Sequence, residues 1–97
     1  MITLKFHFSS PFNEVTKIIN TQMNFDKELT LNELFEFLFD KYGEKFNDLL
    51  WDKKNKENFS SFLSLIINGR AYRDENFVNT VLKDGDDISF LYIYFGG

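Results

Sequence analysis

The stretch Thr30-Leu31-Asn32-Glu33 constrains this chain more than any other. It matches a capping box, in which a Thr hydroxyl and a Glu carboxylate three residues later each take up a backbone N–H that the first helical turn leaves orphaned. Leu29 before the cap and Leu34 after it fit a hydrophobic staple. Leu31, Leu34, Phe35, Leu38 and Tyr42 then recur at helical spacing, while Glu33, Glu36 and Asp40 are left to solvent. Lys41 suits the negative end of the helix dipole, and Gly43 suits the left-handed position that closes a helix. The spacing predicts one long helix over residues 31–42. Its apolar stripe must be buried against something, and the rest of the chain offers strands.

Residues 2–8 alternate strictly, with Ile2, Leu4, Phe6 and Phe8 on one face and Thr3, Lys5 and His7 on the other. Ser9-Ser10-Pro11 punctuates that run, and a second follows in which Ile19, Thr21, Met23 and Phe25 oppose Asn20, Gln22 and Asn24. Two strands joined by a short polar connection predict a hairpin. Beyond the helix, Phe46, Leu49, Leu50 and Trp51 suggest a short helical turn packed on the core, followed by a charged loop over 52–58. A strand is expected from about Phe62 to Asn68, with Leu63, Leu65 and Ile67 inward and Ser64 and Ile66 outward. Asn68-Gly69 is a hairpin-turn dipeptide, and a brief strand follows near Ala71-Tyr72. Phe77, Val81 and Leu82 read as buried residues of an irregular or short helical connection, Asp84-Gly85-Asp86-Asp87 as the last turn, and Ile88 to Tyr94 as a final strand. The expectation is one α+β domain over residues 1–97, with a mixed four- to five-stranded sheet packed on one main helix.

A domain this small needs a dense core, and its 13 Phe, 4 Tyr and 1 Trp can supply one. The formal net charge of −4 argues against a nucleic-acid-binding face. The basic run Lys53-Lys54-Asn55-Lys56, flanked by Asp52 and Glu57, reads as a solvated loop. There is no cysteine, so disulfides, thiolate nucleophiles and Cys-based zinc sites are excluded. The alternating start lacks the continuous apolar core of a signal peptide, and no stretch approaches the ~18 apolar residues of a membrane span. A cytoplasmic protein is expected.

The last strand runs into Phe95-Gly96-Gly97. At ordinary glycine usage two terminal glycines arise by chance in roughly one chain in 200, so the pair gains weight only from following an aromatic strand. Without Cβ atoms, Gly96 and Gly97 leave a carboxylate on a thin stalk able to enter a narrow channel, and four extended residues reach roughly 13 Å. Such a carboxylate becomes an acyl donor once ATP adenylylates it, and a sulfur or amine nucleophile then attacks the mixed anhydride. The chain has no Walker-type loop, so ATP, magnesium and nucleophile would belong to a partner.

Three segments in order, Ile67-Asn68-Gly69-Arg70, Leu82-Lys83-Asp84-Gly85-Asp86 and Phe95-Gly96-Gly97, make the chain resemble the ubiquitin-like sulfur carriers. These are β-grasp proteins that include the molybdopterin synthase small subunit, the thiamin sulfur carrier, the tRNA-thiolating ubiquitin-related modifier and the archaeal small modifiers. The resemblance implies a carrier rather than an enzyme, activated at Gly97 by a ubiquitin-activating-type adenylyltransferase. A sulfur donor would convert it to a thiocarboxylate for molybdopterin biosynthesis or tRNA thiolation, or Gly97 would be joined to target-protein lysines. Its partners would then include a molybdopterin synthase large subunit, a tRNA thiolase or those lysines. The chain itself would bind no cofactor, with Gly96 giving clearance in a flexible tail over 95–97. Molybdopterin-type carriers usually place prolines before the glycines. Tyr92-Ile93-Tyr94-Phe95 stands here instead and leans toward the tRNA-thiolation and archaeal branches.

Alternation in the last strand puts Leu91, Ile93 and Phe95 on the face away from the helix, beside outward-facing Ile66. These four are the expected docking surface for the activating enzyme, unless the 44–60 segment covers them. His7 reads as a surface residue, and Asp84, Asp86 and Asp87 as a solvated turn with only a fragment of a calcium-loop pattern. No metal site is expected. A purely structural β-grasp interaction domain with an incidental Gly-Gly end is the remaining alternative.

Overall fold

The computed structural model describes residues 1–51, 60, 62–72 and 78–92. Strand β1 (Ile2–Phe8) is followed by helix α1 (Phe12–Thr16) and strand β2 (Asn20–Phe25). Strand β3 (Leu29–Thr30) leads into helix α2 (Leu31–Tyr42) and helix α3 (Glu44–Leu50). Strands β4 (Leu63–Ile67), β5 (Arg70–Tyr72), β6 (Val81–Leu82) and β7 (Asp87–Tyr92) complete the described elements.

Helix α2 begins and ends where its local signals put it. Thr30 Oγ1 accepts from Glu33 N–H at 3.1 Å, and Glu33 Oε1 accepts from Thr30 N–H at 2.8 Å, closing the box. The hydrogen bond from the Thr30 backbone N–H, with that of its side chain, holds the Glu33 carboxyl below its ordinary range. Gly43 has the positive φ of 85° that favours glycine, but its ψ of −169° is extended rather than left-handed. The chain therefore turns straight into α3, where Phe46 and Leu50 are buried.

Five strands form one mixed sheet in the order β2-β1-β7-β4-β5, and β3 pairs with β6 in a separate two-stranded ladder. The first and last strands, β1 and β7, lie side by side and parallel, matching Phe6 to Ile88 and Phe8 to Phe90. All other pairings are antiparallel. Register puts Leu4, Phe6, Phe8, Leu63, Leu65, Ile67, Ile88 and Phe90 on the face that meets the helices, and all are buried. Phe90 is the hub of that core, with the rings of Phe8, Phe12 and Phe46 centred 5.5, 5.6 and 5.6 Å away.

Three expectations are corrected. The link between β1 and β2 is not a short polar connection: it contains α1, entered through a cis Ser10–Pro11 peptide, whose Phe12 is fully buried. Val81 and Leu82 form a strand against Leu29-Thr30 instead of a helical link, and only Leu82 is buried; Val81 is 47% exposed. Ile19, expected on the inner face of the second strand, precedes β2 and is 63% exposed. The 52–58 loop, Phe77 and the extension of the last strand over 93–94 lie outside the described residues.

Candidate functional site

Tyr92 ends β7 and is the last described residue, the root of segment 93–97; Ile93, Phe95, Gly96 and Gly97 lie outside the described residues. Tyr92 anchors that root. Its hydroxyl donates to the Leu49 carbonyl of α3, and its ring stands edge-on to Phe12 at 5.3 Å and tilted over Phe62 at 5.9 Å. The parity of the strand shows that Tyr92 faces inward. Nothing in the sequence identifies a carbonyl forty-three positions earlier as its partner.

Leu91 and Ile66 lie on the opposite, outer face of the sheet and are diagonal neighbours: Leu91 pairs with Ser64, and Ile66 with Ser89. Both are half-buried, and Ser64 between them is buried. Helix α3 sits on the other side of the sheet, its Phe46 stacked among Phe8, Phe12 and Phe90. Residues 44–50 therefore do not lie over Ile66 and Leu91, and residues 52–59 of the expected cover lie outside the described residues.

The two turn motifs form a polar clasp at the far end of the sheet. Asn68 and Gly69, with φ of 52° and 84°, make the tight β4–β5 hairpin. Asn68 Nδ2 donates to Asp86 Oδ1 at 2.9 Å, and Asp87 N–H donates to Asn68 Oδ1 at 2.9 Å. Asp86 Oδ2 accepts from Lys83 N–H and Asp84 Oδ1 from Thr3 N–H, both at 2.8 Å. These carboxylates satisfy backbone donors, which is why Asp-Gly-Asp stands there, and no cluster able to hold a metal ion occurs among the described residues.

His7 is the other polar centre, on the outer face. Its Nε2 lies 2.8 Å from Asp87 Oδ1 and its Nδ1 2.6 Å from Asn20 Oδ1. The hydrogen bond to Asn20, then that to Asp87 and its charge, raise the imidazole pKa above its ordinary 6.5. Ser89 is its register neighbour on β7, but both ring nitrogens are already engaged, so the ring has no nitrogen left to take a serine proton. The described residues thus give a tail root at Tyr92 and two half-buried apolar residues, Ile66 and Leu91, on the outer face.

Among protein families, the model described as the ThiS family matches residues 8–97. The chain belongs to the ThiS family. SAMP1 from Haloferax volcanii superimposes with a TM-score of 0.73 at 13% identity, covering 98% of this chain and 99% of that one. Urm1 from Trypanosoma brucei gives 0.70 at 21% identity, over 98% and 95% of the two chains. A complex of subunits 1 and 2 of the molybdopterin-converting factor from Helicobacter pylori contains a chain matching at 0.55 and 24% identity, over 99% and 100%. No curated protein matches the sequence. The ThiS-family chain thus has the ubiquitin-like β-grasp fold of small carriers and modifiers. No helix among its described residues is long and apolar enough to cross a membrane.

Proposed function

We propose that this ThiS-family chain is a sulfur carrier whose Gly97 carboxylate is activated by a partner adenylyltransferase. The observation that carries the reading is that the family match runs through Phe95-Gly96-Gly97. A carboxylate oxygen of Gly97 attacks the α-phosphorus of magnesium-bound ATP, forming the acyl adenylate and releasing pyrophosphate. Sulfide supplied by a donor then adds to the carbonyl carbon, the bond to the phosphate oxygen breaks, AMP leaves and the sulfide proton is lost to solvent, which gives the thiocarboxylate. The thiocarboxylate holds sulfur on the chain end, in keeping with a carrier that has no cysteine. Docking of the activating enzyme is assigned to Ile66 and Leu91, together with Ile93 and Phe95 of the sequence that follows. The rigid support is β7, fixed by Tyr92 on α3, in a part of the fold that needs no chemistry of its own. A molybdopterin synthase or a tRNA thiolase would receive the sulfur.

The second reading, conjugation of Gly97 to lysines, uses the same adenylate, with an amine as nucleophile. Intact mass of the chain purified from its native cells separates the two. A carrier shows one oxygen replaced by sulfur, lost on deleting Gly97; a modifier leaves a Gly-Gly remnant on target lysines. Neither species in cells with the full chain defeats both readings.

A further inference from the structure

Strand β2 borders the sheet, with β1 on one side and no described residue paired on the other. Phe8 N–H donates to the Ile19 carbonyl at 2.7 Å, whereas Lys5 and Ser9 donate the opposite way, to Asp86 and Phe90. Even-numbered β1 residues therefore bond toward β2, and in the constant antiparallel register the odd-numbered β2 residues answer them. Asn20, Gln22 and Asn24 are left directing N–H and C=O at the open border. Native edge strands are ordinarily guarded by lysine, proline, a bulge or a covering element. The run Asn-Thr-Gln-Met-Asn-Phe of β2 has no charge and no proline, and its register with β1 is unbroken from Phe25 to Asn20.

Apolar surface lies directly beneath this border. Ile19 is 63% exposed at one end, Met23 and Phe25 are half-buried, and Phe37 of α2, 38% exposed, stands edge-on to Phe25 with ring centroids 5.0 Å apart. Phe25, Leu29 and Phe37 floor a cleft of about 250 Å³ whose rim carries Asp26, Glu28 and Glu33 against Lys27. An extended backbone satisfies the border, alternate apolar side chains fill the strip, and cations answer the rim.

We propose that the open border of β2 and the cleft between β2 and α2 bind an extended, lysine- or arginine-flanked apolar segment of a partner protein, which joins the sheet as a further strand. A second copy of this chain is the poorer occupant, because each copy carries a net charge of −4 and brings its own acidic rim. β2 is separated from β7 by β1, so a segment bound there leaves the tail root at Tyr92 open. A partner can thus hold the chain while its C-terminus is handled elsewhere.

The test titrates the 15N-labelled full chain with a synthetic peptide in which Val and Ile alternate with Thr between paired lysines. Saturable amide shifts and slowed hydrogen exchange are expected at Asn20, Gln22 and Asn24, with smaller changes at Thr21 and Met23, whose N–H groups already face β1. Replacing the peptide's lysines by glutamates should weaken binding at least tenfold. Gln22→Pro removes an outward N–H that no ladder bond uses and should weaken binding at least tenfold while keeping the native amide spectrum. N-methylating the peptide along its bonding edge should give the same loss without touching the protein, which keeps the test decisive if Gln22→Pro does not fold. The proposal is overturned if the lysine peptide leaves the β2 amides unmoved, if the glutamate peptide binds equally well, or if N-methylation has no effect. It is equally overturned if the free chain sediments as a dimer with β2 already protected.

Discussion

Single residues in this molecule show how one chemical group changes its worth with its surroundings. His7 donates from both ring nitrogens when protonated, to Asn20 and to Asp87, and those bonds raise its pKa. A raised folded-state pKa means the stabilisation is complete below the unfolded value near 6.5 and fades as pH climbs through the higher folded one. With both side chains more than 40% exposed the pair is worth less than about 1 kcal/mol. Denaturant titrations of the native chain and His7→Gln should differ at pH 5.5 and converge by pH 8.5. Tyr92 and Tyr42 give opposite answers to one substitution. Tyr92→Phe removes the bond to the Leu49 carbonyl and should cost about 1 kcal/mol in urea unfolding. The Tyr42 hydroxyl is buried without a hydrogen-bond partner, and burial raises its pKa. Removing that hydroxyl with Tyr42→Phe should therefore stabilise the chain by about 1 kcal/mol in the same measurement.

At the level of elements, legibility in the sequence followed the range of the forces involved. Helix α2 was readable because its cap, dipole charges and stripe lie within one short segment. Thr30→Ala, which deletes one half of the box, should lower stability by about 1 kcal/mol, measured by thermal or urea unfolding. Strand β1 was readable because one face is buried and alternation records it, whereas β4, with Leu63, Ser64, Leu65 and Ile67 all buried, was readable as a short apolar run before a turn. Helix α1 was not, since it has five residues, no side-chain cap, and a reason to exist that is entirely distant: Phe12 filling the gap among Phe46, Phe90 and Tyr92. Two-residue strands such as β3 and β6 carry too little periodicity to detect, so Val81 looked like core. For the site, alternation placed Ile66 and Leu91 together on the outer face, as the structure has them. The anchoring of Tyr92 on α3 needed coordinates. So did the clasp, in which Asn68 and the Asp84–Asp87 turn, written far apart in the chain, share their hydrogen bonds.

At the scale of the whole molecule, the sheet is closed by its first and last described strands. β7 lies between β1 and β4 and carries Ile88 and Phe90 into the centre of the core. A chain ending at Asp86 keeps α2 and the β1–β2 pair but lacks the central strand, and β4 with β5 is left without its neighbour. Such a chain should show no cooperative melting transition and poorly dispersed amide signals, whereas the full chain should melt cooperatively with well-dispersed signals. Synthesis gives this closure a temporal meaning. A ribosome delivers β1 well before β7, so the core stays unfinished until β7 has been translated and released. Contacts of such long sequence separation also slow the final collapse. Until β7 pairs, β1 and β4 lack the neighbour they share, and a partly made chain presents their apolar inner faces to proteases and chaperones.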